Sequence, residues 1–361
     1  MAIWKKYVAA TVVLACVFVA GCGSSGTSVS DAAPEPPTPG GPLVTGGATT
    51  MYVVQNNTYI TGSLNSSAAD VVMSFPTSAN GSVGATSTLT TPVGMFVSDV
   101  KTDAAGNLYV GGMDIASGSG EVLVYPAGAT GSAAPARTIM GSLTGLKLIQ
   151  GLALDTTGQM YVSSWVNNGA AANSISVFAS NANGNVAPVR TISGGATGLT
   201  SPAGLAVDSA GTVYVADGYL GRVSAFTSTQ NGDVAPARSF TTLYAPFQIA
   251  IDSANNLYLP LADTTGNYGA VNVFPSTASG NLPTPTRVVG GHALNAQGGI
   301  YGIALDSRNN LYCVYSPSSS TSLGAIGIAT FSPTASGNAS PATVVTSSNF
   351  TLSYFGYITV R

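Results

Sequence analysis

Hydrophobic and polar positions alternate in short runs along this chain, and the runs recur. Five copies read Asp-x-x-(Gly/Asn)-x-(Leu/Met/Val)-Tyr-(Val/Leu/Cys), at 103–110, 155–162, 208–215, 252–259 and 306–313. Between them an apolar run ends in an aromatic residue and gives way to a turn rich in Gly, Asn and Pro. That second signature occurs six times, ending at Phe75, Tyr125, Phe178, Phe226, Phe274 and Phe331. A period of two residues within a run marks a strand. Short strands repeated at this interval predict a radial, all-β architecture.

The copy that starts at Pro202 shows how one unit is built. Residues 202–207 form a short apolar strand. Asp208, Ser209, Ala210 and Gly211 then make a turn, because an Asp side chain bonds back to the backbone and Gly accepts positive φ. Residues 212–216 are a second strand, 217–221 a loop, and 222–226 an alternating third strand. A hairpin turn at 230–233 leads to an outer strand at 235–240, where an edge tolerates Pro236. Four antiparallel strands per repeat make one propeller blade. The five aspartates lie 52, 53, 44 and 54 residues apart, so length varies in loops while packing fixes the strands.

The two ends of the pattern predict how the ring closes. Residues 354–361 look like a first strand with nothing after it: Val360 matches Val207, and Arg361 stands where the Asp would be. Residues 51–54 look like a second strand with no first. The two fragments complete one another. With five whole blades they predict a six-bladed β-propeller of four-stranded antiparallel blades. Sharing one sheet between the ends also removes free edges.

Residues 202–217, Pro-Ala-Gly-Leu-Ala-Val-Asp-Ser-Ala-Gly-Thr-Val-Tyr-Val-Ala-Asp, continuing to Arg222 and Val223, resemble an NHL-type repeat. The family pattern is Pro-x-Gly-Ile-Ala-Val-Asp-x-x-Gly-Asn-hydrophobic-Tyr-Val-Ala-Asp, then Asn-Arg. The resemblance runs over about 50–361 and is strongest at the Asp turns. Other copies carry Gly111-Gly112 or Ser163-Ser164 in place of the Ala-Asp pair. The family includes binding scaffolds, sensor domains and a few enzymes, so the resemblance implies a fold and leaves the activity open.

The first 21 residues have a different character. Lys5 and Lys6 precede an apolar run of 14 residues at 7–20. A spanning helix needs about 20, so the run predicts a secretory signal. It ends Val19-Ala20-Gly21-Cys22, which resembles the lipobox of bacterial lipoproteins. That resemblance implies cleavage before Cys22 and acylation of Cys22 by diacylglycerol and a further palmitate-like chain. At about 0.8 kcal/mol per buried CH₂, two or three chains hold a protein on a membrane stably where one does not. Gly23 follows instead of Asp, which favours the outer membrane in a Gram-negative envelope. Residues 22–48 read as a flexible Gly/Ser/Pro-rich tether, and 49–361 as the propeller. Cys313 then remains the only free thiol; it replaces the Val or Leu of other copies and reads as a small buried apolar side chain.

Only 7 % of residues are charged. Without Lys5 and Lys6, nine basic side chains stand against 14 acidic ones. There is no basic patch, so nucleic acid is not an expected partner.

Strand directions alternate, so loops between second and third strands share a rim with loops entering the first strands. The Asp turns lie on the opposite rim. The loop rim is the variable one and the expected place for a site. Its candidates are Trp165, Asn167, Asp217, Tyr219, Arg222, Asp263, Tyr268 and His292. The repeated turn aspartates read as structural. Arg137, Arg190, Arg238 and Arg287 share a Pro-x-Arg position on the outer strand and read as surface or inter-blade contacts.

Few ionisable groups are left for chemistry. His292 is the only histidine, no nucleophile elbow accompanies it, and a His-rich zinc site is excluded. Gluconolactonase-like propellers hold a divalent metal with Glu, Asn and Asp, whereas the only glutamates here are Glu35 and Glu121. A calcium site would draw on Asp217, Asp263 and loop carbonyls. The reading preferred on this inventory is a lipid-anchored, monomeric cell-envelope module without a cofactor. It would bind a protein, glycan or small ligand at its rim. The alternative is a metal-assisted lactonase or related hydrolase.

Overall fold

The computed structural model describes residues 43, 49–60, 63–166, 173–262, 269–294, 296, 299–316, 326–346 and 357–361. These form six four-stranded antiparallel sheets arranged as the blades of a β-propeller. The blade that contains the closest repeat copy comprises Pro202–Val207, Val213–Asp217, Arg222–Phe226 and Arg238–Thr241. It is the fourth blade in chain order. Its outermost strand starts later than the pattern suggested, after Pro236. Proline has no N–H for the ladder, and the first bond back to the third strand comes from the Ala237 N–H to the Ala225 carbonyl at 2.9 Å.

The first blade is composite, as the end patterns predict. Ile358–Val360 pairs with Thr50–Gln55 in the register Met51 to Val360, Tyr52 to Thr359 and Val53 to Ile358. Val71–Pro76 and Ser87–Thr90 complete it. The Arg361 N–H donates to the Thr50 carbonyl at 2.9 Å, and its guanidinium donates to the Ala105 carbonyl of the second blade's Asp turn. Residues 354–356 of the expected closing strand lie outside the described residues.

Each seam between neighbouring blades holds its own apolar cluster. The six aromatic residues that end the third strands are buried, one in each cluster. They recur because each blade must fill the same wedge against the blade before it. Cys313 is wholly buried in the seam between the fifth and sixth blades, the apolar role expected for it.

A second device joins the blades at their outer edges. Each outermost strand forms a parallel bridge to a glycine in the third-to-fourth-strand turn of the next blade. The pairs are Leu89 to Gly131, Ile139 to Gly184, Ile192 to Gly232, Phe240 to Gly280, Val289 to Gly337, and Val345 to Gly81. All six glycines have φ between 60° and 84°, which is the reason this turn carries Gly. The insertion that lengthens each repeat is therefore the clasp to the preceding blade. It gives every outer edge a partner.

The turn aspartates are structural. In each copy one carboxylate oxygen accepts the N–H four residues on, as Asp208 does from Thr212 at 2.8 Å. The other oxygen accepts the hydroxyl of the repeated Tyr, at 3.2–3.4 Å across the five copies. Arg137 and Arg287 donate to that same hydroxyl, Arg190 lies over the Tyr161 ring, and all three reach carbonyls of the next blade. Arg238 differs: it approaches the Tyr214 hydroxyl at 3.5 Å. The Asp-turn rim is thus spent on holding the ring together.

Candidate interaction rim

The opposite rim is built from the second-to-third-strand loops and the loops that enter each first strand. On the fourth blade these are 218–221 and, leading to the fifth blade, 242–249. Asp217 ends the second strand fully buried. Its carboxylate accepts the Thr200 N–H at 2.7 Å, the Thr200 hydroxyl at 2.6 Å and the Ser201 N–H at 3.1 Å. Arg222 lies 3.9 Å from the same carboxylate and donates to the Gly198 carbonyl. Asp217 and Arg222 therefore brace the entry to their own blade, and Asp217 presents nothing to solvent.

The two loops are tied to each other. The Thr242 N–H donates to the Gly221 carbonyl at 2.6 Å, and the Thr242 hydroxyl donates to the Tyr244 carbonyl at 2.7 Å. Gly218 lies against the Phe247 ring, where a Cβ would collide with the aromatic carbons. This leaves four large side chains outside: Tyr219 at 73 % exposure, Leu220 at 44 %, Leu243 at 74 % and Tyr244 at 38 %. Of the nine large apolar side chains exposed among the described residues, seven lie on this rim, with Val93, Met140 and Leu143 adding to those four. Among the described residues, this rim carries most of the exposed large apolar side chains.

Trp165 is half-buried. Its indole N–H donates to the Thr200 carbonyl at 3.2 Å, and its ring packs with Leu64, Met113 and Leu148 across the first three blades. Asn173, which the sequence reading passed over, closes the same loop by accepting the Val166 N–H and donating to Thr200. His292 falls in a 3-10 turn at Gly291–Leu294. Asn167, Asp263, Tyr268 and Cys22 lie outside the described residues. Of the candidates, the structure places Trp165, Asp217 and Arg222 around Thr200 or its neighbours as braces, and Tyr219 alone as a fully presented side chain. Leu220, Leu243 and Tyr244 lie in loops expected on this rim but were not among the candidates.

Three further carboxylates sit in the first two blades. Asp70 is buried and accepts from Asn56 at 2.7 Å, from the Thr58 N–H at 2.8 Å and from the Val97 N–H at 2.8 Å. Burial pushes its pKa up, and those hydrogen bonds partly oppose the shift. Asp99 accepts the Leu152 N–H at 2.8 Å and pairs with Lys101 at 2.7 Å. Glu121 is buried with its pKa raised by desolvation first and by Asp114 second.

A divalent metal of the kind gluconolactonase-like propellers use needs several oxygen ligands converging on one point. Among the described residues no group of three or more His, Cys, Asp or Glu side chains does so. Asp70, Asp99 and Asp217 are each saturated by donors of the protein itself. The described residues do not fit such a metal.

No curated protein matches the chain. Solved structures resemble it in fold. A protein of unknown function from Bacteroides caccae is 10 % identical, with a TM-score of 0.55 over 87 % of this chain and 100 % of that one. A functionally unknown protein from Desulfotomaculum acetoxidans DSM 771 is 11 % identical, at a TM-score of 0.47 over 83 % of this chain and 99 % of the other. A luciferin-regenerating enzyme is 12 % identical, at 0.47 over 82 % and 92 %. The family described as the SMP-30/Gluconolactonase/LRE-like region matches residues 37–243, more than half of the chain. NHL-type repeats share the radial plan, but the match falls to this other propeller family. The six-bladed protein belongs to the SMP-30/gluconolactonase/LRE-like family.

Proposed function

We propose that this propeller is a non-catalytic binding module of the bacterial cell envelope, lipid-anchored through Cys22, that engages a ligand or partner at its loop rim. The observation that carries the reading is the concentration of exposed apolar side chains on that rim. The opposite rim is consumed by turns, clasps and the Asp–Tyr–Arg contacts. Burying exposed apolar surface is the general driving force of association, and a surface patch of this kind marks an interaction site. The engagement of Asp217 within its own blade further supports binding over metal chemistry. Support for the anchor comes from the basic start, the apolar run and the Val19-Ala20-Gly21-Cys22 sequence.

The family match favours a second reading, a metal-assisted lactonase. The two separate in one assay. The purified protein is incubated with lactones and esters after chelation and after addition of calcium, magnesium, manganese or zinc, and its melting temperature is recorded each time. The binding module shows no turnover and no metal-dependent shift. Metal-dependent turnover would replace it with the hydrolase.

A further inference from the structure

We propose that the ring is built to open at one place, the seam between the fourth and fifth blades, while its other seams stay shut. The inference concerns the motion of the ring and is independent of what the rim binds. It follows from comparing the same positions in successive blades.

Arg137, Arg190 and Arg287 reach across their seams to carbonyls of the next blade. The acceptors are Ser180 and Ala182, Thr227 and Gln230, and Pro333 and Ala335. Such bonds from a charged donor are among the stronger ones a protein makes. The residues that match Ala182 and Ala335 at the fourth seam are Ser276 and Ala278, two and four positions after Phe274. Arg238 bonds neither among the described residues; it makes only the 3.5 Å approach to Tyr214 in its own blade. Arg238, Ser276 and Ala278 instead line a narrow recess between the two blades, with Phe240 and Leu257 also in its wall.

The first and sixth blades carry Ser87 and Thr343 at the arginine's position. Their seams have substitutes. Asp70 accepts the Val97 N–H of the second blade at 2.8 Å, and the Val83 N–H of the first blade donates to the Thr346 carbonyl of the sixth at 3.0 Å.

The glycine clasp is also weakest at the fourth seam. The N–H of Gly131, Gly184, Gly232 and Gly337 donates to the preceding blade's outermost strand at 2.7, 2.6, 2.7 and 2.7 Å, but that of Gly280 does so at 3.1 Å. At three seams the residue after the glycine adds a bond. Asn185, Asp233 and Asn338 accept N–H groups of the 3-10 turns at Ser142–Thr144, Gly195–Thr197 and Gly291–Leu294. Residues 242–249 form no such turn, and Asn281 accepts the Thr241 hydroxyl instead. The following residue, Leu282, is held at φ 48°, a conformation unfavourable for a leucine.

Near the axis the same seam is thin. The innermost strand of the fifth blade has two residues, Ala250–Ile251, against six to eight in the second, third, fourth and sixth. Gln248 just before it is buried with its side-chain nitrogen unbonded, a cost that opening relieves. What closes the seam is the glycine bridge, the bond from the Gly204 N–H to the Phe247 carbonyl at 2.9 Å, and apolar contact in which the Phe240 and Phe274 rings lie 5.1 Å apart. Local opening is drawn from the least stable part of a structure, and here that part is one wedge of the ring. Hinging at this seam lets the loop rim widen while every blade stays intact.

Two measurements on the full-length protein test this. The first is native-state hydrogen exchange of the unsubstituted chain, read at the clasp glycines. The Gly280 amide should exchange at least about tenfold faster than those of Gly184, Gly232 and Gly337. The second places one thiol at a time in equivalent buried positions, as Ala182→Cys, Ala278→Cys or Ala335→Cys. Maleimide labelling is followed peptide by peptide. Position 278 should label at least about tenfold faster than 182 and 335, with Cys313, buried in the next seam, unlabelled over the same time. Equal or slower reaction at 278, or a Gly280 amide no faster than its counterparts, overturns the proposal. Labelling of Cys313 in step with position 278 also overturns it, because the whole ring would then be unfolding together.

Discussion

The Arg137 guanidinium donates to the Tyr109 hydroxyl at 2.8 Å and ties the outermost strand of the second blade to its second strand. The same guanidinium lies over the Tyr109 ring and donates to the Ser180 and Ala182 carbonyls of the third blade. One side chain thus serves two blades. Replacing it with Met keeps the stem and removes these bonds. Arg137→Met should cost about 2 kcal/mol and Tyr109→Phe about 1 kcal/mol. The double variant should cost less than the two together, because the contacts are shared. Urea unfolding of the three variants measures this. Full additivity would show that the two side chains act independently.

Alkaline pH should loosen the same belt. Burial, more than any other cause, holds the hydroxyls of Tyr109, Tyr161, Tyr214 and Tyr258 above their ordinary pKa, with Tyr258 pushed up to about 12. The folded pKa exceeds the unfolded one, so the native state holds these protons more tightly. Their contribution is complete below about pH 10 and is lost as pH climbs toward that of the folded groups. Urea midpoints should fall over this window while phenolate absorbance rises in step with unfolding. Ionisation of every tyrosine in a still-folded protein would contradict the assignment.

Glu121 offers the reverse kind of variant. Its carboxyl is buried, and both desolvation and Asp114 raise its pKa. The ionised form therefore burdens the fold once pH rises through that elevated value. Glu121→Gln removes the charge and keeps the shape, so it should raise the urea midpoint at about pH 7.5. The gain should fade toward about pH 4, where the native glutamate is protonated. A destabilised variant at neutral pH would mean that the carboxylate has a favourable partner.

Ring closure depends on five residues. Deleting 357–361 strips the pairing partner from Met51, Tyr52 and Val53 and uncovers Ile358's place in the seam of the sixth and first blades. Hydrogen exchange should then report early loss of protection at 51–54, with the third and fourth blades protected longer. The melting transition should drop and broaden. An unchanged, equally sharp transition would show that the clasps alone suffice to hold the ring.

Much of this was legible in the sequence because it repeats. Asp208 and Gly211 announce a turn through local chemistry alone, and Phe226 announces a buried strand end through its recurrence. The composite blade followed from Val360 aligning with Val207. The clasps were not legible. Leu89 and Gly131 are far apart in sequence, and only the ring brings them together. Their trace was there in the repeated turn glycines and in the Pro-x-Arg position, which was expected to make surface or inter-blade contacts and reaches the next blade. At the rim, Tyr219 could be read as exposed because it sits between two glycines in a short loop joining two strands. Leu243 and Tyr244 could not, because their exposure depends on Thr242 bending the loop back to Gly221. Asp217 read as available, and its burial arises from Thr200 and Ser201 folding over it.

The pairing of Met51 with Val360 also sets a condition on biosynthesis. The strand that contains Met51 leaves the ribosome early, and the one it awaits emerges only after all the intervening blades. Until then residues 50–55 carry one bare flank of backbone groups, the kind of template on which other copies assemble. A nascent chain halted anywhere before Ile358 keeps that flank permanently. Emergence of that late strand is what turns an adhesive intermediate into a self-contained one.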